Sequence, residues 1–104
     1  MGLALFVDDR RDPPPGDWTV ARTSAAAIEI LATGQVTYLS LDYDLGDKLP
    51  GVRDNGLTVV EWLAARMAQD ATFVLPVWRV HSNNPEGSLQ LRKMLLVLAQ
   101  AHRD

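Results

Sequence analysis

The sequence predicts an α/β domain built on a mostly parallel, four-stranded sheet with helices on its faces. Three observations carry that expectation. Short apolar runs alternate with helix-patterned segments in the order strand, strand, helix, strand, helix, strand, helix. Two of the apolar runs stop abruptly at aspartate: Leu3-Ala4-Leu5-Phe6-Val7 before Asp8 and Asp9, and Tyr38-Leu39-Ser40-Leu41 before Asp42. With 104 residues the chain supports one core and not two, so residues 1–104 are read as a single domain.

Each element has its own justification. Leu3 to Val7 is a short continuous apolar run with a sharp polar stop, the pattern of a buried strand. Arg10 to Asp17 holds three consecutive prolines and a glycine and reads as a loop. Trp18-Thr19-Val20-Ala21-Arg22 is a short candidate strand at an edge. Thr23 or Ser24 can cap a helix over Ala25 to Ala32, which carries Ile28 and Leu31 and stops at Gly34. Val36 to Leu41 is the next strand. Asp42 to Asn55, with the breakers Gly46, Pro50 and Gly51, reads as a long loop ending in turn chemistry at Gly56. Leu57 to Gln69 places Leu57, Val60, Leu63, Ala64 and Met67 on one helical face. Phe73 to Val80 is strand-like, but Pro76 has no amide to donate, so pairing is expected from Val77. His81 to Gly87 forms a turn into a last helix, with Asn84 as N-cap, Pro85 at the first helical position, and Leu91, Leu95 and Leu98 on its buried face.

Composition narrows the function classes. A hydrophobic content of 47% belongs to a globular chain rather than a disordered one. No run approaches the ~20 apolar residues of a membrane span, and the start is not signal-like. The absence of cysteine excludes disulfides and thiolate metal sites and fits a cytoplasmic protein. A net charge of −3 argues against general binding of duplex DNA, while a single terminus or flipped nucleotide held in a pocket stays open.

In a parallel sheet, ligands bind beyond the carboxyl ends of the strands. Those ends are Asp8/Asp9, Asp42 and His81/Ser82. Three converging carboxylates are costly unless a cation or protons neutralise them. Asp8, Asp9 and Asp42 suit a hard cation such as Mg²⁺ (or Mn²⁺), which takes one or two carboxylates plus water and substrate phosphate. The plainer alternative is one capping aspartate with solvated neighbours. His81, with an unperturbed pKa near ~6.5, is a candidate general acid or base. Ser82, Asn83 and Asn84 precede a helix whose first amides attract anions, although Asn84 serves equally as a plain cap. Arg10 and Arg11 either neutralise the aspartate pair or hold a phosphate. Trp18, Trp62 and Trp78 are most simply core or edge packing, with stacking by Trp18 as the remoter reading. His102 reads as an exposed helix-end residue.

These residues resemble the response-regulator receiver domain, in which an acidic pair after the first strand binds Mg²⁺ and an aspartate after the third accepts a phosphoryl group. Carried over, the positions are Asp8, Asp9 and Asp42. The departures are that no strand ends in lysine, the fifth strand–helix unit is absent, His81-Ser82 stands where a lone Ser or Thr is expected, and a proline loop replaces the first helix. A closer resemblance is to the cyclic-phosphate processing receiver domains. It rests on Leu5-Phe6-Val7-Asp8-Asp9-Arg10-Arg11, Trp18, Ala21-Arg22-Thr23, Ser40-Leu41-Asp42-Tyr43-Asp44-Leu45-Gly46, Gly56 and Val80-His81-Ser82-Asn83-Asn84-Pro85.

That resemblance implies a three-layer, receiver-like (flavodoxin-like) fold, truncated relative to a full receiver. It adds Arg11, Asp44, His81 and Asn84 to the aspartates as site residues. The resulting expectation is metal-dependent opening or hydrolysis of a cyclic or terminal phosphate ester on an RNA end or nucleotide. Asp8, Asp9 and Asp42 would hold the metal, His81 and Asp42 would act in the chemistry, and Arg11, Asp44, Ser82 and Asn84 would hold the substrate. The alternatives are a receiver-type signalling or interaction module, phosphorylated on Asp42 or with a vestigial pocket, and a domain that senses a cyclic nucleotide without turnover.

Overall fold

Four short strands rich in β-branched, leucine and aromatic residues pair in parallel as β2-β1-β3-β6, where β1 is Leu3–Val7, β2 Trp18–Ala21, β3 Val36–Leu41 and β6 Val77–Val80. The structure is a computed structural model that describes the backbone of residues 2–103 and the side chains of residues 2–101. His102 therefore lies outside the described side chains. The order matches the first four strands of the flavodoxin-like arrangement, and no fifth strand follows β6 among the described residues.

Helices α1 (Ser24–Leu31), α2 (Gly56–Gln69) and α3 (Pro85–Arg103) connect or follow these strands. Each begins at a side-chain cap that satisfies an otherwise orphaned amide. Thr23 Oγ1 accepts from the amide of Ala26 at 3.1 Å, Asn55 Oδ1 from Leu57 at 2.9 Å, and Asn84 Oδ1 from Gly87 at 2.9 Å.

The helices pack side by side, α1 on α2 and α2 on α3, and so share one face of the sheet. Alternate strand residues supply that face: Leu5, Val7, Ala21, Leu39, Leu41 and Val80 join Ala27, Leu31, Val59, Val60, Leu63, Leu91 and Leu95 in one buried cluster. Leu5, Leu39 and Leu41 are 0% exposed, and burial of each stabilises the fold by about 1.5–3 kcal/mol. The other strand residues (Ala4, Phe6, Trp18, Val20, Tyr38, Ser40 and Arg79) point away from the helices. Over that second face the expected outer layer is not helical: the proline loop of residues 10–17 borders it, and the connection from β1 to β2 contains no helix. Three prolines in a row leave no amides for a helical turn there.

The segment expected to be a long loop is instead an antiparallel hairpin, β4 (Asp44–Leu49) with β5 (Val52–Asn55). Pro50-Gly51 makes its turn. Gly51 takes φ +79°, which the third residue of a type II turn requires, and the preceding proline favours the second position. Pro and Gly punctuate hairpins as well as loops, and the flanking alternation is too polar to announce strands. Asp54, on β5, is buried and ties the hairpin to α1: its Oδ2 accepts from the Ser24 amide at 2.8 Å and its Oδ1 from the Ser24 hydroxyl at 2.6 Å. Among the described residues no helix is long and apolar enough to cross a membrane.

Candidate functional site

Asp8, Asp42 and His81 are the first residues past three adjacent strands, and the sheet's hydrogen-bond ladder runs on through them. Asp8 N donates to Ala21 O at 3.1 Å, Asp42 N to Val7 O at 3.0 Å, and His81 N to Leu41 O at 3.0 Å. Their backbones are thus held as firmly as strand residues, and the pleat turns all three side chains to the same face. Gly56 lets α2 start hard against this edge: a Cβ there would lie 2.5 Å from the Asp42 carbonyl oxygen.

One carboxylate and one imidazole organise the site. Asp8 is almost wholly buried, and its Oδ1 accepts from the amides of Arg10 and Arg11, each at 2.9 Å. Its Oδ2 lies 3.1 Å from His81 Nε2 and 3.9 Å from Arg11 Nη1. His81 Nδ1 in turn sits 2.7 Å from Ser40 Oγ, and the ring stacks on Phe6 with centroids 4.6 Å apart and planes 7° from parallel. The imidazole is therefore fixed at both nitrogens and on one face.

The two buried carboxyls are pushed in opposite directions. Burial would raise the Asp8 carboxyl, but the amides of Arg11 and Arg10 and the His81 ring together hold it below the usual carboxylate value. At Asp42 burial dominates and raises the carboxyl; the Ser82 hydroxyl offsets part of this, and the Asp8 charge adds to it. The pair thus resists carrying two full negative charges with no cation between them.

The structure gathers some expected residues and separates others. One ligand atom each from Asp8, Asp42 and His81 lies within 4.8 Å of the other two. Asp9 is outside this trio. Its Oδ2 lies 3.5 Å from where a Cβ would stand on Gly46, in β4, and 3.9 Å from Arg10 Nε. Adjacent residues past a strand point to opposite sides, so Asp9 turns toward the hairpin while Asp8 turns toward His81. Ser82 borders Asp42 and also accepts from the Asn84 amide at 3.2 Å. Asn84 spends its oxygen on capping α3, and its Nδ2 reaches Asp44 Oδ2 at 3.5 Å. Arg11, 42% exposed at the side chain, stands on the rim.

Two contributors escaped the sequence reading. Ser40 looks like a strand residue, yet it shares a face with Asp42 at a spacing of two, and that spacing was the available signal. Arg22 donates to the carbonyls of Asp8 at 3.2 Å and Arg11 at 2.6 Å, pinning the loop that carries Arg11.

The Asp8–Asp42–His81 trio fits a divalent cation. Ligand atoms ~2.1 Å from an ion stand up to roughly 4.2 Å apart, so a slight closing of the observed spacing suffices. Two carboxylates suit Mg²⁺ or Mn²⁺, and the imidazole nitrogen tilts the set toward transition metals. With Nε2 on an ion, Nδ1–H would donate to Ser40 Oγ, the outer-shell arrangement usual for a ligating histidine.

A parallel sheet in flavodoxin-like order, with an acidic pair after its first strand and an aspartate after β3, defines a receiver-like α/β domain. A histidine on the carboxylate edge and a loop in place of the first helix set it apart from the ordinary receiver pattern. Residues 3–96 match the family described as the cyclic-phosphate processing receiver domain, and the chain belongs to that family. No match was found among curated proteins or among solved structures.

Proposed function

We propose that the strand edge binds a cyclic or terminal phosphate ester of a nucleotide or RNA end and opens or hydrolyses it with the help of a divalent cation. The single observation that carries this reading is the trio of Asp8, Asp42 and His81, a proton-transfer group fixed beside two carboxylates that favour a cation between them. The family description, cyclic-phosphate processing, supports the cyclic phosphate in this reading.

In this reading Asp8 and Asp42 hold Mg²⁺ or Mn²⁺, which supplies Lewis-acid polarisation of a phosphoryl oxygen. Asp44, Ser82 and Asn84 stand beside the trio to hold the ester, and Arg11 faces its charge. For a cyclic ester, a water oxygen bonds to phosphorus and one ring P–O bond breaks. The leaving alkoxide takes a proton, which yields a monoester and a free hydroxyl. His81, which in this reading stays outside the metal's ligands, carries the proton that the attacking water gives up to that alkoxide, and Ser40 and Asp8 hold its ring in place. Receiver-type phosphorylation of Asp42 is the weaker reading. The two lysines, Lys48 on β4 and Lys93 on α3, are not at a strand end of the parallel sheet, and Asp42 is buried.

The test is to incubate the protein with Mn²⁺ or Mg²⁺ and a panel of 2′,3′-cyclic nucleotides and RNA ending in a cyclic phosphate, following phosphorus NMR. Ring opening that chelator abolishes and that His81→Ala slows by about 10²–10⁴-fold is expected. If the metal-loaded wild type leaves the whole panel intact, the catalytic reading fails. An adduct of ~80 Da on Asp42 from a small phosphodonor would instead favour the receiver reading.

A further inference from the structure

The sheet face without helices has an internal order that the strand-edge chemistry leaves unused. Register places its outward side chains in rows across the strands. Beyond the row of Asp8, Asp42 and His81 comes Val20, Phe6, Ser40 and Arg79, and beyond that Trp18, Ala4, Tyr38 and Val77. Successive rows are about 6.6 Å apart, two strand residues. Ala4 stands between Trp18 and Tyr38 in register, so the two large rings flank a small residue and meet over it with centroids 5.7 Å apart. Trp18 also contacts Phe6 edge-on at 5.8 Å.

The proline loop turns this face into a groove of about 460 Å³, within the range of small-molecule sites. His81 lines it at one end, and Pro13 and Pro14 line it at the side. Arg79 also lines it, is exposed, and has no carboxylate within ion-pair distance among the described residues. An arginine with no ion pair, lining a groove walled by aromatic rings, matches an anionic, π-faced ligand.

We propose that this groove is the base subsite for the nucleotide whose phosphate ester lies at the strand edge. The inference rests on that reading of the edge, because His81 belongs to both places and would join them through one molecule. The base packs against the Tyr38–Trp18 wall, and Arg79 covers it from β6. No asparagine or glutamine side chain lines the groove, so it lacks the paired donor and acceptor that single out adenine; its polar lining is Arg11, Asp12, Ser40, Arg79 and His81. Recognition by stacking alone accepts all four bases. The substrate class is therefore a nucleotide end held chiefly by stacking, and not a free phosphate or a simple sugar phosphate.

The test compares binding of adenosine 3′-monophosphate and glycerol phosphate to the Mn²⁺-loaded protein by calorimetry. The nucleotide is expected to bind at least about tenfold more tightly, with uridine 3′-monophosphate close to it. Tyr38→Ala is expected to remove about five- to hundredfold of affinity for the nucleotides, with the loss absent from the base-free probe. Tyr38 is half-buried, so Arg79→Ala, at an exposed position, provides a second variant that does not disturb packing. Equal binding of nucleotide and glycerol phosphate would overturn the base subsite while leaving the phosphate site standing. Failure of both probes to bind would remove the phosphate reading and this one with it. A wild-type dimer that nucleotide does not dissociate, made monomeric by Tyr38→Ala, would assign the groove to a second copy of the chain and also overturn the proposal.

Discussion

Along β3 the side chains alternate between two environments with different demands. Leu39 and Leu41 enter the helix-covered face and lose all exposure, whereas Tyr38 and Ser40 face the open side, and Asp42 extends that side into the pocket. β1 divides the same way: Leu5 and Val7 go inward, and Phe6 and Asp8 go to the other side. The closed face obtains its stability from apolar area, a non-directional interaction that tolerates approximate shapes. The open face obtains its order from specific atoms: a serine on one imidazole nitrogen, a carboxylate on the other, and a phenyl ring beneath. One set of strands can therefore lose either property with little change in the other, and substitutions one residue apart should separate them.

The largest effect is expected on the closed face. Leu39→Ala removes a fully buried side chain from the middle of the sheet and should cost about 2–5 kcal/mol, read as a fall in the denaturant midpoint at unchanged slope. That is a large share of the ~5–15 kcal/mol typical of a native domain, so the variant should lie close to unfolding. A loss below about 1 kcal/mol would show that the helices on this face do not form the main core.

How much of this division was legible in the sequence follows from the same physics. The closed face announces itself, because apolar runs, caps and breakers are local signals. The strands at Leu3–Val7, Val36–Leu41 and Val77–Val80 and the caps at Thr23 and Asn84 sit where local chemistry puts them. The strand-end rule also brought Asp8, Asp42 and His81 to one edge. Asp9 was indistinguishable from Asp8 by composition and is separated from it only by the direction of the pleat. The hairpin Asp44–Asn55 went unread because its pairing depends on the Pro50-Gly51 turn and on Asp54 reaching Ser24, thirty residues away. The missing second helical layer was visible as three prolines, but what the bare face then offers depends on cross-strand register, which no single run of residues states.

A smaller effect, and one of the opposite kind, is expected at Ser40. Ser40→Ala leaves the backbone pairing of β3 intact and removes the hydroxyl 2.7 Å from His81 Nδ1. Serine here is a positioning residue: it holds Nδ1 and with it the orientation of the ring. Activity or Mn²⁺ affinity should fall about 10–100-fold, the usual cost of losing an outer-shell partner of a histidine. Ser40→Thr, which keeps the hydroxyl, should recover part of it. If Ser40→Ala instead matched Leu39→Ala in lost stability and Ser40→Thr recovered no activity, the open face would be core by another name.

The finest discrimination lies within the pocket, between two carboxyls on the same face. Asp8 sits below the ordinary carboxylate value of ~3.9 and Asp42 above it. Below that value the unfolded chain holds its Asp8 proton more tightly than the folded one, so Asp8 makes stability rise with pH and its contribution is lost as pH falls through its folded pKa. For Asp42 the sign reverses. Between the ordinary value and its raised folded value the folded protein binds the extra proton, so stability falls as pH rises through that window. Carbon-13 titration of the two carboxyls in metal-free protein should show them on opposite sides of the ordinary value. Asp8→Asn removes the adjacent negative charge that helps raise Asp42. The His81 ring pulls the Asp42 carboxyl the other way, but the Asp8 contribution is the larger of the two. The Asp42 carboxyl should therefore move down, yet stay above the ordinary value because burial, its largest cause, is untouched. Adding Mg²⁺ to the wild type should lower Asp42 further than Asp8→Asn does, since a bound cation favours the ionised form directly. An Asp42 carboxyl that ignores both changes would mean that the two aspartates do not share one electrostatic site, and the open face would then hold two separate acids rather than one pocket.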